Sequence, residues 1–344
     1  MMQTEIVVSL VVIPGIAFIS TILFAYFWKK AALHYSIISI PNKRTLHAGA
    51  IPRGGGIAIF LGWTLAAFLF LWMDALALED FIGLVLGGSF VSALGLIDDV
   101  KNLSARLKLL GQIVGTIWCI YWFGRMPPFD ILGFEINLGW VGYPATGIAI
   151  LWSINLFNFM DGADGMLASC MSFIGICMGS FLLLEDDYQN AALLYSLSAA
   201  SMGFLFFNWP PASMFMGDAG SIFFGLFVPM LMIFTLSDHG GMFWVWIIIC
   251  GYALTDTTTT LILRLIYVRP FLAAHRQHAY QSLAYRSQNH RRVTAKVMAI
   301  QVLWLLPIAG LAYWFNAYGA IFSFLGLAPI AVFSAKNGVL HEIG

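Results

Sequence analysis

The chain has 344 residues, of which 60% are hydrophobic and 10% charged, with a formal net charge of zero. Soluble domains run near ~45–50% apolar and ~25% charged. This composition therefore excludes a disordered chain, a coiled coil, collagen and a nucleic-acid-binding surface. A lipid bilayer is the solvent that suits it, so the expected fold class is an all-α polytopic membrane protein, a single integral-membrane domain over 1–344. The four cysteines, Cys119, Cys170, Cys177 and Cys250, lie in apolar runs without CxxC spacing and read as small core residues.

A spanning helix needs roughly 20 apolar residues. Such stretches recur near 5–28, 55–77, 81–97, 109–124, 140–157, 166–184, 191–208, 220–237, 241–262, 297–315 and 318–335. The last two share one charge-free run, divided by an Asn316-Ala317-Tyr318-Gly319 turn. About eleven transmembrane helices are expected. No basic stretch precedes the first apolar run and Lys29-Lys30 follows it, so it reads as an anchor and not as a signal peptide. With the N-terminus outside and the C-terminus cytoplasmic, every basic residue except Arg125 falls in an inner loop, as the positive-inside rule requires. The outer loops are acidic instead, with Asp74, Glu79, Asp80, Asp130, Glu135, Glu185, Asp186, Asp187 and Asp238. No inverted repeat of the transporter kind is seen.

The inner helix ends carry acids that topology does not require. Asp98 and Asp99 close the third span, Asp161 and Asp164 follow the fifth, and Asp218 follows the seventh. One such aspartate reads as an ordinary helix cap; five on one face read as a site. Asn158-Phe-Met-Asp161-Gly162-Ala-Asp164-Gly165 has two Asp-Gly steps three residues apart, which could set both carboxylates on one side of a turn. Gly217-Asp218-Ala-Gly220-Ser221 opens the eighth span with free backbone N–H groups, which suits phosphate or a metal–phosphate pair. Hard carboxylate oxygens favour Mg²⁺, with Mn²⁺ as the alternative, over zinc. Basic partners lie on the same side: Lys43, Arg44, His47 and Arg53; Arg106 and Lys108; and a loop with His275, Arg276, His278, Arg286, His290, Arg291 and Arg292. Carboxylates for a metal and cations for phosphates at membrane level describe phosphoryl transfer to a lipid. For Arg291, Arg292 and Lys296, topology and contact with anionic lipid are explanation enough.

The same residues form a set that resembles the polyprenyl-phosphate N-acetylhexosamine-1-phosphate transferases. Its elements are Pro41-Asn42-Lys-Arg44-Thr-Leu-His47…Pro52-Arg-Gly54-Gly55, then Asp98-Asp99, then Asn155-Leu-Phe-Asn158-Phe-Met-Asp161-Gly162-Ala-Asp164-Gly165, then Gly217-Asp218-Ala-Gly220-Ser221. The fifth motif departs from the usual P-F-x-x-D-R-x-H-x-H-H: here it reads Pro270-Phe271-Leu-Ala-Ala-His275-Arg276-Gln277-His278-Ala-Tyr280-Gln281. That form looks like the branch that starts O-antigen repeat units. The resemblance implies transfer of an N-acetylhexosamine 1-phosphate, plain or deoxy, from a UDP-sugar to undecaprenyl phosphate, releasing UMP at the cytoplasmic face of the bacterial inner membrane. By resemblance, Asp218 binds Mg²⁺ with Asp99 beside it, and Asp98 and Asp99 orient or deprotonate the lipid phosphate. Asp161, Asp164, Asn155 and Asn158 hold the nucleotide or metal shell. Lys108, Arg276 and His278 face phosphate oxygens, and Lys43, Arg44, His47 and His275 join them as substrate-binding residues. Phe215 and Asn208 resemble uracil-stacking and uracil-bonding positions, packing against lipid being the other reading of Phe215. Tyr280 and Gln281 suit sugar hydroxyl or acetamido groups. The partners expected are the UDP-N-acetylhexosamine, undecaprenyl phosphate and membrane lipid, with no nucleic acid; monomer and homodimer both stay open.

Two other readings stand beside this one. A CDP-alcohol phosphatidyltransferase needs D-G-x-x-A-R followed by G-x-x-x-D-x-x-x-D, and after Asp161-Gly162 no further acid beyond Asp164 follows until Glu185-Asp186. An ion-coupled transporter would use Asp256, inside the ninth span.

Overall fold

In lipid, a backbone can satisfy its polar groups within a single segment only as a helix, and nearly every apolar run of this chain does so. The computed structural model describes residues 6–39, 49–267 and 276–343. Its helices are α1 (Val8–His34), α2 (Gly56–Trp72), α3 (Leu78–Lys101), α4 (Ala105–Phe123), α5 (Gly142–Met160), α6 (Met166–Leu184), α7 (Tyr188–Asn208), α8 (Asp218–Leu236), α9 (Phe243–Ile249), α10 (Gly251–Tyr267), α11 (Ala279–Ser287), α12 (His290–Trp314), α13 (Gly319–Asn337) and α14 (Val339–Ile343).

Seven of these, α1, α3, α6, α7, α8, α12 and the helix through Asn316–His341 that contains α13, are long and apolar enough to cross a membrane. The segments Gly240–Ile249 and Gly251–Tyr267 qualify together but bend by 64° at Cys250, so they form one broken span or a re-entrant pair. The protein is a multi-pass membrane protein. Three of the expected spans fall short of the others. α2 has 17 residues. α4 carries Arg106, Lys108 and Gln112, and α5 carries Gly142-Tyr143-Pro144, Asn155 and Asn158.

Two short antiparallel pairs interrupt the all-helical expectation. β1 (Ile38–Ser39) pairs with β2 (Ile51–Pro52), and β3 (Phe129–Ile131) pairs with β4 (Phe134–Ile136). The second is closed by Leu132 and Gly133 at φ +54° and +83°, the left-handed pair that a two-residue hairpin turn requires. Its Phe129 stacks on Phe243 at 4.3 Å.

α8 forms the axis of the bundle and packs against α2, α3, α4 and α5; α7 lies between α6, α1 and α2. Close approach depends on missing side chains. A Cβ on Gly56 would lie 2.2 Å from the Cα of Gly220, and one on Gly95 would lie 2.1 Å from the carbonyl oxygen of Asp218. These contacts draw α2 and α3 against the first turn of α8. The chain passes up and down, so the starts of α2, α4, α6 and α8 and the ends of α3, α5 and α7 meet at one end of the bundle. The acids expected outside gather at the other, where His239 meets Asp187 at 2.9 Å and the Trp122 indole donates to the carbonyl of Glu79 at 2.8 Å.

Candidate active site

The site is built around the first turn of α8. Gly217, at φ +71°, precedes it and offers no side-chain cap. The cap comes from another helix: the Asp99 carboxylate, at the end of α3, accepts the N–H of Asp218 at 3.2 Å and that of Ala219 at 3.1 Å. This satisfies two donors that a helix start leaves open and sets a negative charge at the positive end of its dipole. Arg53 supports Asp99 from behind, its Nε donating to the Asp99 carbonyl oxygen at 2.6 Å and lying 3.8 Å from the carboxylate.

Asp98 turns the other way, as adjacent helical residues must at about 100° per residue. Asn102 ends α3 in the left-handed conformation and Ser104 caps α4. This tight link brings Lys108, on the second turn of α4, to Asp98 at 2.9 Å, while the Leu103 N–H holds the other Asp98 oxygen at 2.7 Å. Lys108 also reaches Asp218 at 3.1 Å, so one ammonium bridges the carboxylates of α3 and α8. The remaining Asp218 oxygen accepts from the Asn158 amide at 3.0 Å, and the same amide nitrogen reaches Ser221 at 2.9 Å. Asn155, one turn deeper, faces the Leu151 carbonyl at 2.8 Å and Gln112 at 3.4 Å, beside the carboxylates and not among them.

The turn after α5 closes the cluster. Asp161 accepts the N–H of Gly217 at 3.2 Å. Burial, with the neighbouring Asp218 and Asp99 carboxylates, pushes its carboxyl well above the usual carboxylate range. Asp164 is turned aside: its carboxylate accepts the N–H of Ala212 at 3.0 Å and lies 3.2 Å from His290. Asn208 spends both ends of its amide on this region, accepting from Gly165 N–H at 3.0 Å and donating to the Met214 carbonyl at 3.0 Å. The backbone of Phe215 lies between Pro52 and Gly55, at 2.8 and 3.0 Å, and its ring is half-buried.

α11 props the turn from below. The Tyr280 phenol accepts the N–H of Gly162 at 2.9 Å and donates to the Phe159 carbonyl. Burial pushes that phenol well above its usual range, so it stays a donor. His278 is 1% exposed and its ring stacks on Phe159 at 5.4 Å. Arg276 stands over the Tyr285 ring at 5.7 Å. Gln281 lies against the turn, where its amide nitrogen would be 2.2 Å from a Cβ on Gly162. Asp256, on which the transporter reading rests, accepts the N–H groups of Ala279 and Tyr280 at 3.0 and 3.4 Å and so caps α11. Lys43, Arg44, His47 and His275 lie outside the described residues.

Asp98, Asp99, Asp161, Asp218, Lys108 and Asn158 thus come together, while Asp164, Asn208, Tyr280, Gln281 and His278 form the layer that shapes the turn beside them. Arg53, Ser221, His290 and Asp256 also shape the site. The signals for the first two were the Pro-Arg-Gly-Gly and Gly-Asp-Ala-Gly-Ser stretches; sequence spacing carries none for the partners of the other two. Among the described residues, no three acidic, imidazole or thiol side chains converge on one metal position. The donor set nonetheless suits a hard cation: among the described residues, Asp98, Asp99 and Asp218 pair with Lys108 and Arg53, and the Asp161 carboxylate lies beside them.

A helical bundle with a carboxylate-rich polar site set into one end is a polytopic membrane protein of the kind that works on a substrate at the lipid surface. The glycosyl transferase family 4 model matches residues 81–236, the stretch from α3 through α8 that carries Asp98 to Asp218. The chain is 31% identical over 314 residues, 89% of its own length and 84% of the other, to "Probable undecaprenyl-phosphate N-acetylglucosaminyl 1-phosphate transferase" of Bacillus subtilis (strain 168). It is 32% identical to "Decaprenyl-phosphate N-acetylglucosaminephosphotransferase" of Mycolicibacterium smegmatis, over 59% of this chain and 54% of that one. It is 31% identical to "Undecaprenyl-phosphate alpha-N-acetylglucosaminyl 1-phosphate transferase" of Escherichia coli (strain K12), over 63% and 60%. The chain belongs to glycosyl transferase family 4, within the polyprenyl-phosphate hexosamine-1-phosphate transferase superfamily. That membership sets aside the phosphatidyltransferase and transporter readings.

Proposed function

We propose that the protein transfers an N-acetylhexosamine 1-phosphate, plain or deoxy, from a UDP-sugar to undecaprenyl phosphate. The observation that carries this reading is the meeting of Asp98, Asp99, Asp161, Asp218 and Lys108 at the start of α8. An oxygen of the lipid phosphate attacks the sugar-linked phosphorus, the bond to the UMP oxygen breaks, and UMP leaves with the electron pair. Attacker and donor are both anionic, so the reaction needs positive charge where they meet.

Mg²⁺ would be held by Asp218, with Asp99 beside it and Asp98 and Asp161 in the same cluster of carboxylates, and would supply charge neutralisation to the diphosphate. Lys108 lies between Asp98 and Asp218 and steadies both carboxylates while it meets phosphate oxygens. Asp98 directs the lipid phosphate, and Asp99 fixes the first turn of α8 and with it the Asp218 carboxylate; the N–H groups of 217–221, expected to be free for phosphate, are taken by Asp161, Asp99 and the Gly217 carbonyl because the carboxylates of neighbouring helices cap this turn. The second Asp-Gly step, with Asp164, addresses the nucleotide. The altered segment around His275, Arg276 and His278 supports a role in starting an O-antigen or related surface polysaccharide. The concentration of basic residues at the site end supports eleven crossings with the N-terminus outside and the site cytoplasmic.

Incubation of the purified protein with Mg²⁺, undecaprenyl phosphate and a panel of UDP-N-acetylhexosamines tests the reading. UMP release that requires the lipid phosphate, with a lipid-diphospho-sugar product identified by mass, is the expected result. UMP release indifferent to added lipid phosphate would overturn it. Cysteine labelling in intact cells tests orientation: an impermeant outside reagent should miss loops 98–108 and 158–169.

A further inference from the structure

His290 begins α12, far along the chain from the Asp-Gly turn, yet its Nδ1 lies 3.1 Å from the backbone nitrogen of Asp164 and 3.2 Å from that residue's carboxylate. One helical turn on, Thr294 donates its hydroxyl to the Asp164 carbonyl oxygen at 3.1 Å. The Ala212 N–H holds the second carboxylate oxygen at 3.0 Å. The backbone oxygen and one carboxylate oxygen of Asp164 are therefore held, and one imidazole nitrogen lies within reach of both its backbone nitrogen and its other carboxylate oxygen. A neutral ring accepts the Asp164 N–H at that nitrogen; a protonated ring donates from it to the carboxylate. The ring holds the residue in either state.

Asp164 and His290 both border a cavity of about 530 Å³ between the turn, the Pro210-Pro211-Ala212 segment and the start of α12. Its size suits the nucleoside end of a nucleotide-sugar. We propose that His290 is a positioning residue for donor binding: it sets the Asp164 carboxylate toward this cavity, and Thr294 fixes the backbone beneath it. The proposal rests on the reading above that Asp164 addresses the nucleotide. The lipid phosphate meets the separate Asp98–Lys108 side of the cluster, so His290 acts on the donor and not on the acceptor.

The test measures kcat, KM for UDP-N-acetylglucosamine (or whichever UDP-sugar the panel identifies), KM for undecaprenyl phosphate and thermal stability in purified variants. His290→Ala should raise donor KM about tenfold, the worth of one well-placed charge-assisted hydrogen bond, and leave the lipid KM unchanged. His290→Asn keeps an acceptor or donor at the position of Nδ1 and should restore most of the donor affinity. Asp164→Asn should raise donor KM by itself, and adding His290→Ala to it should cost little more, because both act through one carboxylate. Unchanged donor KM in His290→Ala, beside a raised one in Asp164→Asn, would overturn the proposal and leave the role of Asp164 standing. Unchanged donor KM in Asp164→Asn would instead overturn the nucleotide reading itself. If His290→Ala does not fold, His290→Phe, which keeps a ring but removes its nitrogens, decides: a donor KM raised about tenfold with the lipid KM unchanged supports positioning, and an unchanged donor KM in a stable variant refutes it.

Discussion

The Asp256 carboxylate accepts the backbone N–H of Ala279 at 3.0 Å, joining the bent span to the helix that supports the Asp-Gly turn. Asp256 is fully buried, and its charge sits at the N-terminus of α11, where the helix dipole favours an anion. The intramembrane acid of the sequence is thus a link in a chain of contacts: Asp256 to Tyr280 N–H, Tyr280 hydroxyl to Gly162, and Gly162 to the carboxylates. Asp256→Leu should leave two buried N–H groups unpaired and destabilise the protein by about 2–4 kcal/mol, at ~1–3 kcal/mol for each lost partner less what the added apolar contact returns. Asp256→Asn, which keeps one acceptor, should cost about half as much. Melting curves in detergent, read beside turnover, check both.

Asp218 and Asp99 should respond differently to the same change. Asp218→Asn keeps size and loses charge, so transfer should fall to near background while the melting temperature stays close to that of the parent. Asp99 caps α8 with both oxygens, so Asp99→Ala should lower stability by ~0.5–2 kcal/mol as well as activity. A fully active, purified Asp218→Asn variant would overturn the proposal that Asp218 holds Mg²⁺.

Close helix approach sets a third expectation. Gly56→Ala and Gly95→Ala each push a methyl group into backbone at about 2 Å, and overpacking of this kind costs ~1–3 kcal/mol. Because both glycines press on the first turn of α8, activity should fall further than stability predicts. Gly15→Ala, which meets nothing within 4 Å, is the control for an added methyl.

The Asp161 carboxyl titrates above its unfolded value, so the metal-free fold carries a proton there that the unfolded chain has lost. That contribution to stability is present at low pH and is lost as pH rises through the raised value. A bound cation would displace the proton, so Mg²⁺ should bind more tightly, and raise the melting temperature more, as pH rises through that raised value. Thermal shift with and without Mg²⁺ along a pH series that starts at the usual carboxylate range reads this directly, and chelation should abolish transfer reversibly. A Mg²⁺ shift that stays constant along the whole series would count against Asp161 as a partner of the cation.

Much of this was legible in the chain. Apolar runs located the helices, though α1 runs on to His34 and α12 starts at His290, past the charge-free stretches that marked them, and the Asp98-Asp99, Asn158–Gly165 and Gly217–Ser221 stretches marked the helix ends that meet. The split between Asp98 and Asp99 was not legible. The sequence presents them as a pair, whereas the helix turns one to Lys108 and the other to α8. Nor could spacing reveal that Asp256 serves Ala279 or that His290 serves Asp164, since those partners are chosen by packing between helices. The bend at Cys250 has no proline to announce it, and the 129–136 hairpin depends on a Leu-Gly turn that lies among apolar residues.

The clasp of His290 and Thr294 on the Asp-Gly turn has a consequence in time. The carboxylates of α3, α5 and α8 are synthesised and inserted before α12 exists, yet the turn that carries Asp161 and Asp164 is held from 126 and 130 residues further on. A growing chain therefore displays its acidic residues to the membrane surface well before it can grip a substrate. A chain interrupted before α12 therefore lacks the contacts that hold Asp164 in place, however completely its earlier helices have been inserted.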